Sequence, residues 1–217
     1  IELPNAYKKI VKIPLVNELK SVMTSFSKRA ENMPSDKSKD NMLKLTNDIK
    51  KASLDIRLYD KSFPEILECK INKCVDNVID TYNNTKGGQV IFSDLGAPNN
   101  DIFSVYHEIK NKLIANKIPE KHIAFIHDYN TDKKREKLFQ DFNNGKIRIL
   151  LGSTDKLGIG VNIQDNLIAL HHLDAPWRPD QLTQREGRII RYGNKNKDVN
   201  IYTYITEGFD AYIWQLI

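Results

Sequence analysis

The 217-residue sequence sets 33 Lys+Arg against 28 Asp+Glu, a net charge of +5, with 40% hydrophobic residues, enough for a proper core. That size suits one α/β domain with an extension, or two small domains. The only two cysteines, Cys69 and Cys74, have no histidine near them, which argues against a disulfide or zinc scaffold and fits reduced thiols of a cytoplasmic protein. No apolar run approaches the ~20 residues that a membrane span needs, and no signal peptide opens the chain. The start at Ile1, without a methionine, is expected of a piece of something longer. The basic excess is compatible with nucleic acid or phosphate partners but decides little.

In chain order, the character changes near residue 86. Residues 1–85 are poor in glycine and read as a helical extension or linker. "KSVMTSFSKRAENMPSDKSKD" looks like a short helix running into a polar, Pro-containing linker. "NMLKLTNDIKKASLDIRLYD" follows an Asp40 N-cap, with Leu45, Ile49, Ala52 and Ile56 at helical spacing. "LECKINKCVDNVIDTYNN" repeats the pattern with Leu67, Ile71, Cys74, Val75, Val78 and Ile79.

Residues 86–217 alternate strands and helices. "QVIFSDL" (89–95), "HIAFIHD", "KIRILLGST", "LIALHHLD" and "VNIYTYIT" read as strands. Between them lie the helical stretches "DIFSVYHEIKNKLIANK", "TDKKREKLFQDFNNG" and "QREGRIIRYGN". The second has a cap at Thr131 or Asp132 and a stop at Gly145. Near-continuous apolar strands separated by helices predict an α/β fold, a parallel sheet covered on both faces. Ligands of such sheets bind at the carboxyl ends of the strands. Ser93 and Asp94, His127 and Asp128, Ser153 and Thr154, and His171 to Trp177 all collect there.

Three segments carry chemistry. "GSTDKLGIGVNIQ" ends a buried strand in Ser153-Thr154 and continues into a loop with Gly158 and Gly160, suited to close approach of phosphate oxygens or simply to a glycine turn. "DAPWRPDQ" presents Trp177 and Arg178 between two prolines, a rigid loop that could offer an aromatic and a cation to nucleic acid or could merely pack. If "QREGRIIRYGN" is helical at roughly 100° per residue, Gln184, Arg188 and Arg191 fall within about 60° of one another, and Arg185 projects about 60° from Arg188. No G-x-x-x-x-G-K-[ST] loop is present, so a complete nucleotide hydrolase is not expected from this chain. His171 and His172 read as strand residues, and no metal ligands are assigned.

Together "QVIFSD", "GSTDKLGIGVNIQ" and "QREGRIIRYGN" resemble motifs IV, V and VI of superfamily 2 helicases and translocases, in order and between the right strands across residues 86–217. "DAPWRPDQLTQREGRIIRYGN" is particularly similar to the Swi/Snf branch, where W-x-P precedes Q-x-x-x-R-x-x-R-x-G-[QN]. The finer wording, including "DNMLKLTNDIKKASLD" and "HHLDAPWRP", is similar to the helicase part of large methyltransferase–helicase proteins of phages, plasmids and conjugative elements.

The resemblance implies a RecA-like lobe, the second of two that hydrolyse ATP with Mg2+ in the cleft between them and translocate on DNA. It implies that Arg188 and Arg191 are arginine fingers, that Gln184 organises the γ-phosphate and water, and that Gly187 leaves room for the other lobe. It implies that Gly158, Gly160 and Asn162 face the nucleotide. Ser93, Ser153, Thr154, Lys156, Trp177 and Arg178 are expected to bind nucleic acid, through backbone contacts without sequence preference. The sequence departs from the Swi/Snf pattern at Asp155, Lys156 and Leu157, which leaves remodelling or simple translocation open. The expected partners are the first lobe and DNA. The alternative is a non-catalytic RecA-like module that binds DNA or serves assembly.

Overall fold

The computed structural model describes residues 2–99, 103–157 and 161–217. Among them six strands form one all-parallel sheet, in the order β1-β6-β5-β2-β4-β3. They are β1 (Asn5–Ile13), β2 (Gly88–Phe92), β3 (Ile123–Phe125), β4 (Ile149–Gly152), β5 (Leu167–His172) and β6 (Asp198–Thr206). The helices are α1 (Asn17–Glu31), α2 (Met42–Leu54), α3 (Ile56–Tyr59), α4 (Lys70–Asn84), α5 (Val105–Ala115), α6 (Asp132–Asn143), α7 (Thr154–Leu157), α8 (Pro179–Glu186) and α9 (Phe209–Gln215).

The strands are apolar on both faces because both faces are covered. On β2, Ile91 packs with Ile71, Cys74, Val78, Tyr106 and Ile109 of α4 and α5. Val90 and Phe92, pointing the other way, pack with Leu138 and Phe142 of α6 and with Ile189. A satellite core joins Leu19, Val22, Met23 and Phe26 of α1 to Leu45, Ile49 and Ala52 of α2 and Ile56 of α3. Leu54, at the end of α2, reaches the main core.

The five strands expected after residue 86 are present. One strand is found in the extension, which was expected to hold helices and linker only. β1 pairs in parallel with β6 from Asn5↔Asp198 to Ile13↔Thr206 and forms one edge of the sheet. Its pattern was hard to read because only Ile13 is buried, while Tyr7, Lys8, Lys9, Ile10 and Lys12 lie exposed. Lysines on an edge strand also deter pairing with a further chain. The cap of α2 is Asn41, whose side chain accepts from Lys44 N–H at 3.0 Å, whereas Asp40 pairs with Arg29.

His171 sits wholly inside, with Nδ1 2.9 Å from Tyr204 Oη and Nε2 2.9 Å from Gln89 Oε1. Gln89 Oε1 can only accept, so Nε2 carries a proton, and the Tyr204 hydroxyl can donate to Nδ1 of the neutral ring. Burial pushes its pKa down to about 3, and that of buried His172 to about 4. Both lie below the ordinary ~6.5 of an unfolded histidine. Their contribution to stability is therefore complete above pH ~6.5 and is lost as pH falls toward 4, by up to about 1.4 kcal/mol per pH unit for each ring. Circular dichroism of the chain between pH 6.5 and 4.5 should show this slope, and His171→Gln should flatten it. An unchanged slope in the variant would remove His171 as a cause.

Candidate functional site at the carboxyl ends of the strands

The strand order places β5, β2 and β4 side by side, so their carboxyl ends bring Asp174, Asp94 and Thr154 together. Arg185, from α8, closes the group and is 0% exposed. Its Nε donates to Thr154 Oγ1 at 2.8 Å and its Nη1 to the Asp174 carbonyl at 2.8 Å. Its Nη2 donates to Asp94 Oδ2 at 2.8 Å and to Asp174 Oδ1 at 3.2 Å. Only a planar guanidinium can serve four acceptors at those angles from one rigid head.

The two carboxylates are equally committed. Asp94 accepts from Thr154 N–H at 2.7 Å, holding the start of α7, and from the Thr154 hydroxyl at 2.9 Å. Asp174 Oδ2 accepts from the N–H groups of Asp94 and Leu95 at 2.8 and 2.9 Å. Burial, then the charge of Asp94, pushes the Asp174 carboxyl above the usual range, against the pull of Arg185 and Lys50. This knot ties the three expected motif segments into one body.

It also settles where two expected DNA contacts stand. Ser93 is 1% and Thr154 2% exposed. The Ser93 hydroxyl donates to the Leu95 carbonyl at 2.8 Å. The Thr154 hydroxyl donates to Asp94 and accepts from Arg185, both within the lobe. Ser153 and Lys156 are half-buried, and the exposed Arg178 is paired with Asp180 at 3.0 Å. Trp177 is 46% exposed on the loop before α8.

The arginine segment divides differently from the helical wheel. α8 stops at Glu186 and Gly187 caps it, so Arg188 to Asn194 run through turns. Their N–H groups turn back to near carbonyls, such as Arg188 N–H to Arg185 at 3.2 Å and Ile189 N–H to Glu186 at 3.1 Å. Gly187, a poor helix former, stands where the regular helix gives way. Arg188 and Arg191 nonetheless meet, bordering one cleft of about 470 Å³ with Val161, Asn162 and Gly187. Arg188 Nη1 donates to the Val161 carbonyl at 3.0 Å. Burial, then the charge of Arg191, holds the Arg188 pKa below its ordinary value. Gln184 is half-buried one turn earlier and does not border this cleft. Gly158 and Gly160 lie outside the described residues.

Sequence reasoning set Arg185 apart from the finger pair without finding its role. The signal was present in Asp94 and Asp174, polar residues ending apolar strands, which require a buried cation once the sheet closes over them.

The sequence pattern of the helicase conserved C-terminal domain matches residues 70–193. Over 78 residues the chain is 35% identical to the Defense against restriction protein B of Escherichia phage P1, which covers 36% of this chain and 3% of that protein. Over 153 residues it is 30% identical to an uncharacterized ATP-dependent helicase, YqhH, of Bacillus subtilis (strain 168), covering 68% of this chain and 26% of that one. The chain thus spans a small part of either relative. Among solved structures, the C-terminal domain of the Sulfolobus solfataricus SWI2/SNF2 ATPase superposes with a TM-score of 0.68 at 15% identity, over 98% of this chain and 85% of that one. The C-terminal part of the Fun30 ATPase domain gives 0.66 at 17% identity, over 99% and 90%. At such identities these likenesses show the RecA-like fold.

Proposed function

The chain belongs to the helicase conserved C-terminal domain family, and from that premise we propose that it is the second motor lobe of an ATP-dependent DNA helicase or translocase. The observation that carries this reading is the cleft in which Arg188 and Arg191 stand beside Val161 and Asn162. Two adjacent guanidinium groups at one rim suit the oxygens of a triphosphate, which they can meet with paired N–H donors. ATP supplies the scissile phosphoanhydride, and Mg2+ is assigned with the phosphate-cradling loop to the first lobe. Arg188, anchored on the Val161 carbonyl, neutralises the charge that develops on the γ-phosphate, and Arg191 assists it. Gln184, half-buried one turn before Arg188 and outside the cleft, would reach the γ-phosphate only through a shift of the α8 end.

Trp177 and Arg178 on the outer loop, with Ser153 and Lys156 beside it in sequence to the buried knot, are the proposed DNA-facing groups. Ser93 and Thr154 act beneath them, the Thr154 hydroxyl holding the motif rather than touching phosphate in the arrangement described. The Sulfolobus solfataricus SWI2/SNF2 ATPase core, also solved in complex with double-stranded DNA, superposes with a TM-score of 0.66 over 98% of this chain and supports DNA as the track.

The test is complementation. The 217-residue chain alone should show no ATP hydrolysis, and adding the first lobe of the parent protein should produce hydrolysis stimulated by DNA. DNA binding should be independent of sequence and fall steeply with salt, as counterion release requires. Hydrolysis by the isolated chain would overturn the two-lobe reading, and none from the two lobes together would overturn the motor reading in favour of a non-catalytic DNA-binding or assembly module.

A further inference from the structure

Lys50 is a buried lysine outside the motifs. It is 3% exposed on α2, whose apolar neighbours Leu45, Ile49 and Ala52 pack into the satellite core. Its ammonium leaves that core and ends 4.1 Å from the centroid of the Trp177 ring. The charges that act on it are the carboxylates of Asp174 and Asp94, which attract it, and Arg185 and Lys70, which repel it. Burial is the largest influence on Lys50 and pushes its pKa down. A methionine would fill the same channel without that cost. Besides the attraction to those two carboxylates, the ammonium adds attraction to the face of the indole, which grows as water is excluded.

Trp177 is held from two sides. The N–H groups of Trp177 and Arg178 both donate to Gln181 Oε1, at 3.1 and 3.2 Å, so α8 fixes the backbone of the loop. Lys50 fixes the ring from α2, while 46% of the tryptophan stays open to solvent.

We propose that Lys50 is a positioning residue for Trp177, seating the indole so that its open surface meets DNA. The proposal rests on the DNA-binding reading above and adds a residue from the segment before the lobe proper. Lys50 acts through the tryptophan, because its own ammonium lies beneath the ring, out of reach of a phosphate.

The chain has two tryptophans, so Trp214→Phe leaves Trp177 as the sole reporter. In that background Lys50→Met should shift the Trp177 emission to the red and make it more accessible to iodide. DNA binding, followed by fluorescence anisotropy of a labelled duplex, should weaken about fivefold, the size of one lost cation–π contact. Lys50→Arg should retain both signals, and Lys50→Met should add nothing to Trp177→Ala. The slope of log affinity against log salt should stay unchanged. A slope reduced by about one unit would instead make Lys50 a direct phosphate contact and overturn the proposal. Additive losses in the double variant, or an unmoved emission, would also overturn it. Full DNA affinity in Trp177→Ala would overturn the DNA reading beneath it, while the emission of Lys50→Met still decides the Lys50–Trp177 contact. Should Lys50→Met fail to fold, Lys50→Gln makes the same comparison, with a red-shifted emission and weaker DNA binding expected and an unmoved emission overturning the proposal.

Discussion

Arg188→Ala in the two-lobe enzyme should lower DNA-stimulated ATP hydrolysis by about 10³–10⁵, the value of an arginine finger supplied across a cleft. The loss should fall on turnover rather than on nucleotide or DNA affinity, because the finger acts on charge that develops only as the reaction proceeds. Arg191→Ala should give a smaller loss of the same kind, since Arg191 is exposed while Arg188 is half-buried and anchored on the Val161 carbonyl. Arg188→Lys should not restore the rate, for an ammonium cannot present paired donors from the same anchored position. Single-turnover kinetics with radiolabelled ATP would measure the step directly. Normal turnover by Arg188→Ala would sink the finger assignment, whatever the fate of the DNA-binding reading.

The second large effect is on stability. Arg185→Ala should destabilise the chain by about 3–5 kcal/mol, because it strands two buried or half-buried carboxylates without their cation. For a domain of this size that corresponds to a melting point lower by roughly 6–20 °C. Asp174 loses its only ion pair among the described residues, and Thr154 loses a donor to its hydroxyl. Arg185→Lys should recover only part, since one ammonium cannot reach Thr154, Asp94 and Asp174 together. Adding Asp94→Asn to Arg185→Ala should restore some stability by removing a stranded charge, and calorimetry of the four variants would give the coupling. A melting point of Arg185→Ala within a degree of the parent would show that the knot does not hold the lobe.

The two arginines stand three residues apart in different surroundings. Arg185 faces inward because α8 is still helical there and its inner face meets the ends of β2, β4 and β5. Arg188 lies past the helix end, where the turn carries it to the cleft. Loss of the knot should therefore also disturb the proposed finger indirectly, and the melting data separate that effect from a direct one.

Much of the fold was legible because its signals are local. The strands after residue 86 are apolar on both faces, which only a doubly covered parallel sheet produces, and the Thr131 cap and Gly145 stop bound α6 as expected. β1 was not legible: one buried residue, Ile13, cannot set a period, and its pairing with β6 spans nearly the whole chain. The end of α8 was misjudged because a helical wheel assumes that the helix continues, and Gly187 ends it.

The sequence by itself determined the order and type of the segments after residue 86, since these follow from local apolar patterning, whereas the turn after Gly187 decided that Arg188 and Arg191 share a cleft that Gln184 does not border. Only the tertiary structure decided which polar side chains are spent inside the lobe. Whether Thr154 can touch DNA depends on Asp94 and Arg185, 60 and 31 residues away, and whether Lys50 is a solvated charge or a prop for Trp177 depends on where α2 packs. Such contacts arise when strand order brings distant carboxyl ends side by side, and that order is set by the burial of both faces of the whole sheet.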